Sequence, residues 1–330
     1  MPFMFELTPQ DDFFHPSGLE LGWRESYSFD FCDPASRLSG FGLMGVSPNQ
    51  EKADCVFALW RDDILIGKAA KWDYRIPRTI GEENQHFGPL AFRPVAPFKT
   101  WEVSYDDGYC RLELTFDSIQ PPYSWLESGH GAEHPGSHHY QQQGRFRGVA
   151  RIGKDSVPVQ GVGARDHGWG PDARPNVRRW LSASAQFSEK LAFQALHVTL
   201  LDGKDIVFGY VFRGAQNDVV ERSRLHANYT LRHSAPSGCN VELISAGGER
   251  IAAVSRMLNA YNTSFQDPGL PGFRFSCAAE FQAETLKGFG RVDAFWRTAK
   301  DRPEDWLIEP AANVPGKLKA FSGDFDETVF

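Results

Sequence analysis

The chain has few of the features that announce a cofactor, a nucleic acid partner or a membrane. Its 330 residues include five cysteines, Cys32, Cys55, Cys110, Cys239 and Cys277, odd in number, widely scattered and never spaced as C-x-x-C. That pattern argues against a disulfide framework or a zinc knuckle and leaves them as reduced, small, buried hydrophobes. Positive charge is also scarce: 35 Lys and Arg against 42 Asp and Glu give a net charge of -7. A nucleic acid or an anionic membrane surface would want clustered cations, so neither is an expected partner. No window approaches the roughly 18 apolar residues of a spanning helix, and "MPFMFELTPQDDFF" lacks the basic start and apolar run of a secretory signal. The expectation is a soluble, cytoplasmic protein. On that expectation the N-x-S/T matches at Asn228 and Asn262 carry no weight.

Nucleophile and nucleotide signatures are missing as well. There is no G-x-S-x-G elbow, and no cysteine stands in an electropositive, helix-starting context, which disfavours a covalent hydrolase. Gly161, Gly163, Gly168 and Gly170 form no G-x-G-x-x-G and no GK[ST] follows them, so they read as a tight turn rather than a phosphate cradle. No redox cofactor and no metal are expected.

What is present is alternation with period two. In "KTWEVSYDDGYCRLELTFDS", Cys110, Leu112, Leu114 and Phe116 face one way while Arg111, Glu113, Thr115 and Asp117 face the other. Asp107-Gly108 supplies a hairpin turn between the two halves. Turn signals recur at Arg61-Asp62-Asp63, Gly153-Lys154, Asp202-Gly203 and Gly247-Gly248, flanked by apolar or alternating runs. Many short strands joined by hairpins predict an all-β protein of sandwich or barrel type. Only "GERIAAVSRMLNAY" (248–261) reads equally as helix or strand.

The length favours two domains. The Pro-, Gly-, Ser- and His-rich stretch 118–144 is the natural divider, giving expected units 1–130 and 131–300 with a C-terminal extension, 301–330, that loses alternation.

The chemistry concentrates in "GVGARDHGWGP", 161–171. If the strand persists through it, Arg165, His167 and Trp169 share one face and Asp166 points to the other. His167 beside an aromatic wall is a candidate general acid or base, with Asp166 orienting it. The competing reading is a buried salt bridge and a satisfied histidine holding a turn, with Asp166 paired to Arg165. The two readings stand level on the residues alone. His130, His134 and His138 are spaced by four, but Gly131, Pro135 and Gly136 break any helix there, so a metal site is the minority reading. His139, Tyr140 and Gln142 open a strand that the Gly153-Lys154 hairpin returns to the motif, so they are candidate ligand contacts. Trp180, Gln194 and His197, on strands shortly after the motif, complete the candidate set.

Together, "HHYQQQGRFRGVARIG", "GVGARDHGWGP" and "FQALHVTLLDGKDIVFGYVFRG", with "FGPLAFRPVAPFKTWEVSYDD" upstream and "GFGRVDAFW" downstream, resemble the tandem lipocalin-like superfamily that contains carotenoid 1,2-hydratases, kievitone hydratase-like proteins and AttH-like proteins. The bacterial members with a Gly-x-Gly-x-Arg-Asp-His-Ser-Trp-Gly-Pro pattern are the most similar. The resemblance covers most of the chain. It implies two tandem lipocalin-like antiparallel β domains and a pocket lined by the Asp-x-x-Trp-Gly segment. It also implies cofactor-independent acid-base chemistry, as hydratase or dehydratase, isomerase or cyclase, on a hydrophobic molecule such as a terpenoid, steroid, polyketide or aromatic. A non-catalytic carrier of such a ligand is the alternative. Carried over position by position, Asp166, His167 and Trp169 occupy the motif, with His167 moving the proton and Trp169 as apolar wall. Gly168 stands where Ser or Asn is common. The tyrosine and aspartate that carotenoid hydratases carry on the following strand are replaced by Gln194, Leu196 and His197, so carotenoid hydration itself is not implied.

Overall fold

The structure, a computed structural model, describes residues 6–81, 84–128, 137–231 and 234–308, and every long element in it is a strand. The first sheet contains β1 (Trp23–Asp33), β2 (Leu38–Ser47), β3 (Lys52–Arg61), β4 (Ile64–Arg75), β5 (Ile80–Gly81), β6 (Asn84–Phe87), β7 (Leu90–Ala96), β8 (Thr100–Asp106), β9 (Cys110–Ser118), β10 (Tyr123–Ser124), β11 (His138–Ile152) and β12 (Asp155–Pro171). The second contains β13 (Val177–Ser188), β14 (Leu191–Leu200), β15 (Asp205–Arg213), β16 (Gln216–Tyr229), β17 (Pro236–Ser245), β18 (Arg250–Met257), β19 (Tyr261–Asn262), β20 (Phe273–Ala283), β21 (Leu286–Trp296) and β22 (Asp305–Ile308).

All pairings are antiparallel. The first sheet runs β4-β3-β2-β1-β12-β11-β9-β8-β7-β6-β5 and curls as a half-barrel, while β13 to β18, β20 and β21 close into an eight-stranded barrel through the pairing of β15 with β16. The alternation read from sequence explains both. Phe29, Phe31, Leu112, Leu114 and Phe116 fill the hollow of the first sheet with Phe57, Phe92 and Trp101. Leu181, Ala183, Phe193, Val241, Phe281 and Val292 fill the barrel. Each such side chain contributes about 1.5 to 3 kcal/mol on burial. The ambiguous stretch after Gly248 is strand β18, because Ile251 and Ala253 are buried while Arg250, Ala252 and Val254 are not. The Asp107-Gly108 turn forms as expected: Gly108 has φ +88° and the Asp107 carboxylate accepts the backbone N–H of Tyr109 and Cys110.

The hairpin that carries the motif belongs to the first sheet. β11 and β12, the long hairpin carrying the motif, pair with β9 and β1, so residues 138–171 complete the first sheet and the second begins at Val177. The physical reason is close approach. A Cβ on Gly163 would lie 1.9 Å from the Asp30 carbonyl oxygen, and only glycine lets β12 seat against β1 in this register. Of the C-terminal extension, Asp305–Ile308 adds to β16, and the rest lies outside the described residues.

Candidate functional site

Three adjacent strands, β1, β12 and β11, set the site by register. Tyr27, His167 and Tyr140 lie in one row across them, Ser28, Asp166 and Gln141 in the next, and Ser26, Gly168 and His139 in the one beyond Tyr27. Because side chains alternate, these rows face opposite ways.

The first face looks into the hollow of the half-barrel, where residues 9–15 fold against it. Asp12 is fully buried and accepts hydrogen bonds from Arg165 at 2.5 Å, Trp101 Nε1 at 3.0 Å, the Phe98 backbone at 2.7 Å and the Tyr140 hydroxyl. Arg165 stands 4.7 Å from the Trp101 ring centre and 5.1 Å from that of Tyr140. Burial alone would raise the Asp12 pKa, but the Arg165 guanidinium outweighs it and holds the carboxyl below the usual range.

His167 belongs to the same face. It is 0% exposed, its Nε2 is 2.9 Å from Glu25 Oε1, and its ring stacks on Tyr27 at 3.9 Å. The Glu25 carboxylate also meets His15 Nδ1 at 3.0 Å, and His15 Nε2 meets Asp11 at 3.2 Å, so four groups form one chain of hydrogen bonds. Burial pushes His167 down and Glu25 only partly offsets it. For His15, bonds to Glu25 and Asp11 overcome burial and raise the pKa. Of the two imidazoles bonded to Glu25, His15 is thus favoured over His167 to hold a proton. The ligand atoms of His15, Glu25 and His167 lie within 4.8 Å of one another, the one such group among the described residues that a metal ion could join. Their mutual hydrogen bonds already account for the arrangement. Trp169 stacks on His15 at 4.0 Å and on His138 at 5.2 Å.

The opposite face looks at the second sheet across a cavity of about 320 Å³. Here Asp166 answers the question the sequence left open: it pairs with neither His167 nor Arg165. Its carboxylate takes a hydrogen bond from His139 Nε2 and a second from Gln141 Nε2 at 2.8 Å. The two side chains of this pair are 25% and 19% exposed. Burial works against ionisation of Asp166, but His139 chiefly, with Gln141 and Arg291, lowers its pKa. Trp125 stacks on the His139 ring at 3.5 Å and on Phe208 at 4.4 Å. Gly168 is required beneath: a Cβ there would meet His139 Nδ1 at 2.9 Å. Further along the same wall Asp30 has its pKa raised to about 6 by burial, with Arg291 opposing. Arg291 bonds Asp293 at 2.5 Å and reaches Asp30 at 3.4 Å. The facing wall carries an apolar patch built by Val177, Leu196, Val198 and Phe208 with Trp125 and Trp180.

The expected site residues therefore divide. Asp166, His139, Trp180, Gln194, Arg165 and Trp169 line the cavity, and His167, Tyr140, Gln142 and His197 do not. Gln142 is spent on Phe98, Ser118 and Gln120. His197 is on the barrel-core face of β14, bonded to Ser223, its pKa pushed down to about 3 by burial. His138 lines the cavity, and His130 and His134 lie outside the described residues. Sequence reading missed Asp30, Arg291, Asp293 and Trp125. For Asp30 the signal was there, an acid in the alternating run "SYSFDF" whose register partner is the motif strand.

A family model described as "Domain of unknown function (DUF7064)" matches residues 8–297. No curated protein sequence matches. Among solved structures, an AttH-like protein of Nitrosomonas europaea superposes with a TM-score of 0.66 at 15% identity, covering 90% of this chain and 99% of its own. CghA, solved with Sch210972, superposes with a TM-score of 0.62 at 15% identity over 84% of this chain and 89% of its own. Kievitone hydratase from Nectria haematococca gives 0.57 at 11% identity over 84% and 90%. At these identities the likeness is one of fold. No helix among the described residues is long and apolar enough to cross a membrane.

Proposed function

The chain belongs to the DUF7064 family, and we propose that it is an acid-base enzyme acting on a hydrophobic small molecule held between its two sheets. Hydration or dehydration, isomerisation and cyclisation are the reaction types this site suits. The observation that carries the reading is the Asp166–His139 pair, a carboxylate-oriented imidazole on the wall of an apolar-faced cavity. Asp166 accepts from Nε2 and orients the ring, which leaves Nδ1 to exchange a proton with the ligand. Asp30, with a pKa near 6, is the second titrating group on that wall and serves as the complementary acid. The proton-transfer role expected of His167 passes to His139, because His167 has no surface on the cavity. Kievitone hydratase and CghA, whose names tie them to small molecules of this kind, support the reading through their shared fold. Five unpaired, buried cysteines suit the reducing cytoplasm.

The test is incubation of the protein with a panel of terpenoids, steroids, polyketides and aromatics, followed by mass spectrometry. Products differing by one water, or isomers with altered retention, are expected from the parent and not from Asp166→Asn or His139→Gln. A carrier would bind the same ligands with no product from any form. The two hydrogen bonds already engaging Asp166 are what that second reading draws on.

A further inference from the structure

Five arginines line the cavity: Arg24, Arg165, Arg174, Arg274 and Arg291. Four have committed partners. Arg24 holds Asp54 at 2.6 Å, Arg165 holds Asp12 at 2.5 Å and Arg291 holds Asp293 at 2.5 Å. Arg174 holds Asp172 through Nε at 2.9 Å and NH2 at 2.8 Å, and takes Asp267 at 2.7 Å as well. Arg274, on β20, has what is left. Its contact with Asp267 is stretched to 3.7 Å and falls on the same oxygen that already accepts from Arg174. Its guanidinium makes no hydrogen bond to any described residue, although its side chain is only 21% exposed. A guanidinium carries five donors in a rigid fork, and leaving them unmade in a half-dry site is costly.

Arg274 is nevertheless held in place. Its Cζ lies 5.4 Å from the ring centre of Trp180, which stacks in turn on Phe295 at 4.6 Å. Packing over a π face fixes the plane of the fork and leaves its edges open. Burial, the largest influence, draws the Arg274 pKa down, Asp267 and Asp293 resist, and Arg174 and Arg291 add to the fall. Close by, Gln194 lines the cavity with neither end of its amide bonded within the protein.

Resting on the reading of the cavity as a small-molecule site, we propose that its ligand is an amphipathic acid whose carboxylate is taken by Arg274 while its apolar body lies against Leu196, Val198 and Phe208. A planar carboxylate matches the free fork bidentately and satisfies its unmade hydrogen bonds. Arg274 is thereby a specificity-determining residue, distinct from the groups that move protons.

The experiment uses the full chain and two fluorescent probes that share one aromatic body, 1-anilinonaphthalene-8-sulfonate and its uncharged parent N-phenyl-1-naphthylamine. The sulfonate stands in for the carboxylate. Parent protein, Arg274→Met, Arg274→Lys and the cavity-filling Ser182→Trp are titrated, with circular dichroism confirming that each is folded. The proposal expects the anion to bind the parent at least about tenfold more tightly than the neutral probe. It expects Arg274→Met to erase that preference without changing neutral-probe affinity, Arg274→Lys to keep part of it, and Ser182→Trp to abolish both. If the neutral probe binds and is excluded by Ser182→Trp, yet the anion has no advantage or keeps it in Arg274→Met, this proposal falls and the cavity reading stands. If neither probe binds, or binding ignores Ser182→Trp, both fall.

Discussion

Asp166 and His167 are joined by one peptide bond and serve opposite sides of a sheet: the carboxylate of Asp166 accepts from His139 in the cavity, while the imidazole of His167 bonds Glu25 in the buried hollow. The alternation of a single strand thus separates a pair that reads in sequence as one catalytic unit.

Replacing the two histidines should have opposite consequences. His167→Ala leaves a cavity and strips one partner from buried Glu25, at a cost of about 2 to 4 kcal/mol. His139→Ala removes a partly exposed pair and should cost no more than about 1 kcal/mol. Urea unfolding of the two variants reads this directly; equal losses would contradict the assignment of faces.

Asp12 carries the weight of the N-terminal segment. Asp12→Ala leaves the Arg165 guanidinium buried among Trp101 and Tyr140 without a counter-charge, which should cost about 3 to 5 kcal/mol. Asp12→Asn, which keeps an acceptor but not the charge, should lose less. Thermal melts of the three proteins rank the effect.

The pH dependence of Asp30 has a definite sign. Its folded pKa of about 6 lies above the ordinary 3.8, so the folded state binds the proton more tightly than the unfolded chain. The stability it contributes is full below pH 3.8 and lost as pH rises through 6, a change of order 3 kcal/mol. Asp30→Asn should therefore gain on the parent between pH 5 and pH 8 in denaturant titrations, an interval that brackets the folded value of about 6. It should also remove any fall in turnover near that value. A parent-to-variant difference independent of pH would overturn the assignment.

Gly168→Ala probes the geometry of the pair. The new Cβ, 2.9 Å from His139 Nδ1, must displace the imidazole, and a shift of that size costs up to about 10²-fold in rate. Stability should change by only about 1 kcal/mol. Steady-state turnover with melting curves separates the two effects.

Much of the architecture was legible because period-two alternation is a local signal. "CRLELTF" and the Asp107-Gly108 turn sit as read, and the sharing of a face by Arg165, His167 and Trp169 follows from the strand alone. Which face meets the cavity was not legible, since it is decided by Asp12 and His15, some 150 residues upstream, filling the other side. The sheet to which the motif belongs was not legible for a similar reason: the His- and Gly-rich stretch looks like a linker, but the hairpin after it pairs back to β1 and β9. Asp30 passed as an ordinary polar position because its raised pKa depends on burial under the second sheet.

The central claim is that chemistry belongs to the face carrying Asp166 and His139, between the two sheets. A crystal structure of the protein with a product or tight ligand from the metabolite panel tests it most directly. The account predicts density between the sheets, within hydrogen-bond distance of His139 and against Trp125 and Phe208. Ligand density in the hollow beside His167 and Tyr27, or inside the closed barrel beside His197, would contradict it.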